Sequence, residues 1–130
     1  MTDPQKLVVD FLERLGSIAE LKDAVAECCD DTCVWENTGF PPVEGLPGML
    51  GLIEGFRSAG ISQMKVRVRH AGVVDEGVVL TERVDDIYGG DDELLAALPV
   101  MGTFEVRGDK IVSWRDYFDG SVLTGLLTAG

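Results

Sequence analysis

The stretch Thr81-Glu82-Arg83-Val84-Asp85-Asp86 sets a strong cation among acids at strand spacing. It continues the apolar run Val78-Val79-Leu80 and reads as the end of a β-strand. Side chains alternate along a strand, so Val79, Thr81, Arg83 and Asp85 share one face, and Val78, Leu80, Glu82 and Val84 the other. Buried charges are costly unless paired. A guanidinium has more N–H donors than one carboxylate can use, so a second acid is expected beside Arg83. Asp116, in Trp114-Arg115-Asp116-Tyr117-Phe118-Asp119, is the candidate. Two acids clamped by one cation in an apolar pocket suit paired proton transfer, one carboxyl protonated and the other ionised.

The rest of the chain bounds what such a unit could serve. Its 130 residues suffice for one domain with a real core. A net charge of −12 argues against nucleic acid and against anionic membrane surfaces, both of which attract basic patches. No apolar run reaches the length of a bilayer span, and the polar start Met1-Thr2-Asp3-Pro4 lacks a signal-peptide pattern, so a cytosolic protein is expected. The cysteines Cys28, Cys29 and Cys33 are odd in number and fit no disulfide framework. With His70 as the only histidine they do not form a metal-ligand pattern, so no metal is expected.

The elements that position the unit follow from periodicity. Pro4 opens a helix over 5–16, with Leu7, Val8, Phe11, Leu12 and Leu15 at helical spacing. A second helix covers 18–28, and Asp30-Asp31 reads as a turn. Thr32–Glu36 is a short strand, followed by a breaker-rich loop over 37–42. Leu46–Arg57 reads as a third helix weakened by Gly48, Gly51 and Gly55. From Ser62 the period becomes two, giving strands over 62–70, 78–86, one running through 106, and 110–118. Turns are expected at 73–77 and 88–92, and a tight hairpin at Gly108-Asp109. The apolar tail Ser121–Ala129 is short enough for one further helix. Helices followed by a meander spell α+β: a curved mixed or antiparallel sheet on three N-terminal helices, enclosing a cone-shaped apolar cavity.

The pieces Trp35-Glu36-Asn37, Leu80-Thr81-Glu82-Arg83-Val84-Asp85, Gly102-Thr103-Phe104 and Gly108-Asp109-Lys110-Ile111-Val112-Ser113-Trp114-Arg115-Asp116-Tyr117-Phe118-Asp119 resemble the limonene-1,2-epoxide hydrolase family. That family belongs to a larger NTF2-like group with a cone-shaped fold, which includes ketosteroid isomerase. The resemblance runs from about residue 5 to about residue 120. It implies a cofactor-independent hydrolase that adds water to an apolar epoxide. Carried over by motif, Asp85 is the acid, Asp116 the base, Arg83 the bridge, and Asn37 a holder of the attacking water. The family's tyrosine position falls on Trp35, a departure, because an indole N–H donates but does not accept.

By face and position, Leu52, Phe56, Val79, Ile87, Leu98, Val100, Trp114 and Phe118 are expected to shape the substrate pocket. A homodimer is expected from the sheet's second face, the apolar tail and the habit of the relatives. The competing functions are a ketosteroid-isomerase-like or polyketide-cyclase-like enzyme and a non-catalytic binding module of the same fold, since fold does not set function. An isomerase leaves Arg83 without a task. A binding module predicts no contact between Arg83 and Asp116.

Overall fold

In a computed structural model describing residues 2–128, helices α1 (Pro4–Arg14) and α2 (Ile18–Cys28) open the chain, and α3 (Gly45–Ser58) follows after two strands. The strands are β1 (Cys29–Asn37), β2 (Val43–Glu44), β3 (Gln63–Val74), β4 (Val78–Tyr88), β5 (Leu94–Arg107) and β6 (Lys110–Tyr117), with helix α4 (Gly120–Thr128) at the end. The first two helices start where their residues say. Asp3 caps α1 by accepting from the Lys6 N–H, and Pro4 stands in the first turn. Ser17 and Glu20 form a reciprocal capping box on α2. The apolar stripes then turn inward: Val8, Phe11 and Leu12 from α1, Leu21, Ala24 and Val25 from α2, and Met49, Ile53 and Phe56 from α3.

The sheet has the order β2-β1-β6-β5-β4-β3. Its pairs are antiparallel except β1 with β6, which run parallel and align Trp35 with Trp114 and Asn37 with Asp116. The sheet is therefore mixed, and the expected α+β cone is found. The ladders are interrupted by register shifts in β1, β3, β4 and β5, the kind of irregularity at which strands bend.

Several boundaries differ from the sequence reading. Asp30-Asp31 lies inside β1, not in a turn; Asp30 bonds locally to Thr32 where the β1–β6 register is irregular, so the acids stay exposed on a strand. β3 continues to Val74, leaving a shorter turn, because Val73 and Val74 pair with Val79 and Val78. The short strand β2 was not foreseen, and β5 spans all of Leu94–Arg107 despite Pro99. That proline is tolerated because β6 pairs with β5 only from Met101 onward, so one side of Pro99 needs no ladder donor. The apolar tail is helical through Thr128, and Asp119 caps it through the Ser121 N–H and hydroxyl; the expected end at Ala129 lies outside the described residues.

Aromatic rings knit the helices to the sheet beneath the cone. Trp35 stacks on Trp114 with centroids 4.2 Å apart, while Phe11 meets Trp114 edge-on at 5.2 Å. Phe11 and Phe104 are fully buried. Phe11→Ala should lower stability by about 3–5 kcal/mol, read as a reduced urea midpoint with an unchanged slope.

Candidate active site

β4 carries the centre of the site. Its inward face, Val79, Thr81, Arg83, Asp85 and Ile87, is buried throughout. Arg83 is 1% exposed. Its Nε donates to Asp85 Oδ1 at 2.9 Å and its Nη2 to Asp85 Oδ2 at 3.2 Å. Its Nη1 donates to Asp116 Oδ1 at 2.9 Å and its Nη2 to Asp116 Oδ2 at 2.6 Å. One guanidinium thus grips two acids, both forks bidentate. Asp116 comes from β6, two strands away in the sheet order. It also accepts from Trp114 Nε1 at 2.8 Å.

The electrostatics follow from this burial. Burial pushes the Asp85 carboxyl above the usual carboxylate range; Arg83 pulls it down, and the charges of Asp116 and Asp86 add to the rise. Burial alone would lower the Arg83 pKa, yet Asp116 and Asp85 together hold it above its ordinary value. With both acids ionised the unit would carry a net negative charge in an apolar setting. A proton on Asp85 makes it neutral.

A glycine makes the clamp possible. Gly102 on β5 lies opposite Thr81 on one side and Asp116 on the other. A Cβ there would stand 2.6 Å from Arg83 Nη1 and 2.9 Å from both Asp116 Oδ1 and Thr81 Oγ1. Within Gly102-Thr103-Phe104 nothing local marks the glycine for this role. Only the pairing of β4, β5 and β6 shows what its missing side chain leaves room for.

Arg83, Asp85, Asp116, Asn37 and Trp35 all border one cavity, and Phe56, Leu98, Trp114 and Phe118 also line it. The other expected pocket residues lie elsewhere. Val79 and Ile87 are core residues away from the cavity, because they stand beyond the Arg83–Asp85 pair on β4. Val100 borders a separate hollow beside Arg69, Met101 and Tyr117, and Leu52 a separate pocket near Phe40. Leu15, Leu21, Met64, Val66 and Leu123 line the cavity without having been foreseen. The β3–β4 register sets Val66 against Asp85, and α4 brings in Leu123; neither placement is local in sequence. The Trp35 Nε1–H is buried with no hydrogen-bond partner. Among the described residues no three His, Cys, Asp or Glu side chains gather as a metal site. Cys28, Cys29 and Cys33 are free thiols, and Cys28 is only half-buried.

The fold and site together define an NTF2-like α+β cone with a polar clamp in an apolar interior. Residues 2–127 match the limonene-1,2-epoxide hydrolase catalytic domain, and the chain belongs to that family. It is 36% identical over 97 residues to the epoxide hydrolase EphG of Mycobacterium tuberculosis, a match covering 75% of this chain and 62% of that protein. The solved structure of an M. tuberculosis LEH-like epoxide hydrolase is 30% identical, with a TM-score of 0.71, covering 98% of this chain and 90% of the other. An NTF2-like protein of unknown function from Burkholderia pseudomallei shares the fold at a TM-score of 0.78 with 12% identity, covering 98% of this chain and 99% of its own. No helix among the described residues is long and apolar enough to cross a membrane.

Two outcomes test the site. Gly102→Ala should cost about 1–3 kcal/mol of stability and displace the guanidinium, seen in a denaturant titration and a crystal structure of the variant. Asp85 has a folded pKa above its unfolded value of about 3.9, so its proton stabilises the fold at acid pH. That contribution is lost as pH rises through the raised value. The melting temperature of the wild type minus that of Asp85→Asn should therefore fall as pH rises from about 4 towards 7.

Proposed function

We propose that the protein hydrolyses an apolar epoxide to a vicinal diol in one step, without a cofactor. Membership of the limonene-1,2-epoxide hydrolase family supports this reading. The observation that carries it is the clamp: Arg83 makes four hydrogen bonds to two buried acids at the wall of an apolar cavity.

In this reading, Asp85 gives its proton to the oxirane oxygen as the C–O bond breaks. Water attacks the ring carbon and loses a proton to Asp116. Burial favours the protonated form of Asp85, which suits the acid. Asp116 Oδ1 already accepts two N–H bonds and Oδ2 one, leaving room on Oδ2 for water. Asn37 stands beside Asp116 across the parallel β1–β6 pair and can hold the same water. The Trp35 N–H offers one more donor to an oxygen in the cavity. Arg83 keeps both carboxyls in place while the proton changes sides. No covalent ester forms, so one diol oxygen comes from the epoxide and the other from water.

Cyclohexene oxide or limonene oxide in ¹⁸O-water should give diol with one labelled oxygen. Asp116→Asn and Asp85→Asn should each lose about 10²–10⁴-fold in kcat with the fold intact. Conversion of a dienone without diol formation, or no turnover of any epoxide, would overturn the assignment. The rate should also fall as pH rises through the elevated pKa of Asp85, since the acid then lacks its proton, and this limb should vanish in Asp85→Asn.

A further inference from the structure

The cavity beside Arg83 has a volume of about 40 Å³. That space is small beside its neighbour. A long alkyl chain does not fit there alone. A second pocket of about 250 Å³ lies against it, and Asn37, Phe56 and Leu123 line both. Phe40, Pro41, Pro42, Val43, Leu52 and Leu127 complete the outer pocket, whose lining is apolar apart from Asn37.

We propose that the outer pocket is a substrate subsite for an extended apolar chain, with Leu123 as the partition that moves aside for it. The inference rests on the epoxide-hydrolase reading for the reacting end. Of the three shared wall residues, Phe56 is packed against a ring and Asn37 has its backbone held in the sheet. Asn37 is paired in the sheet with Asp116, and Phe56 meets the Trp35 ring edge-on at 6.3 Å. Leu123 is a flexible aliphatic side chain on the terminal helix α4, 5% exposed between the two spaces. Turning it joins them into one channel. The oxirane then meets Asp85 and Asp116, and the tail runs out past Leu52 and Leu127. Each methylene buried in that tail strengthens binding roughly fourfold.

Two unreactive alcohols, 1-dodecanol and cyclohexanol, test this by isothermal titration calorimetry on the full chain. Leu52→Trp, which fills the outer pocket, should weaken 1-dodecanol at least tenfold relative to cyclohexanol. Leu127→Trp replaces it if that variant does not fold. Leu123→Ala should shift the ratio at least threefold towards 1-dodecanol. An unchanged ratio in the tryptophan variant overturns the subsite, and an unchanged ratio in Leu123→Ala overturns the partition. Neither alcohol carries an oxirane, so this result stands apart from turnover. A missing diol product with the ratios as expected counts against the hydrolase alone.

Discussion

A guanidinium that is 1% exposed must be neutralised where it stands, and Arg83 is neutralised by two carboxyls rather than one. That imbalance organises the interior. A cation with two anions leaves a surplus negative charge, which an apolar surrounding resists, and the resistance falls on Asp85 as a raised pKa. Removing Arg83 would strand two buried carboxyls without their cation, at a cost of about 3–5 kcal/mol. The same arrangement that stabilises the arginine thus leaves Asp85 with a raised demand for a proton.

The surrounding fold serves this clamp at short range. Three adjacent strands supply it: Arg83 and Asp85 from β4, the bare backbone of Gly102 from β5, and Asp116 from β6. Trp114 ties the clamp to the core. Its indole N–H holds Asp116, while its ring lies between Trp35 on one side and Phe11 and Phe104 on the others. A shift in aromatic packing would therefore reach the carboxylate directly. The other face of the sheet is less covered, with Leu80, Met101 and Tyr117 exposed there.

Much of this was legible locally. Alternation along Val79–Ile87 already set Arg83 and Asp85 on one face, and the surplus donors of the guanidinium called for a second acid. The helix starts were readable at Asp3, Pro4 and Ser17, because caps act within one turn. The bend of the chain at Asp30-Asp31 was misread, since acids favour turns by themselves while a strand pairing can override them. The pocket wall was half-legible: periodicity tells which side chains point inward, and not how far along the sheet the cavity ends. Val79 and Ile87 point inward and still miss it.

The amino-acid order determined the element types, the inward face of β4 and the identities of the clamp residues, because each depends on period, charge count or a cap within a few positions. The tertiary structure decided the rest. Strand register brought Val66 beside Asp85, set Gly102 between Thr81 and Asp116, and left the Trp35 N–H without a partner. Docking of α4 carried Leu123 to the cavity wall. Those placements join residues far apart along the chain, and a contact of that kind is fixed only when the sheet closes and its neighbours compete for the same space.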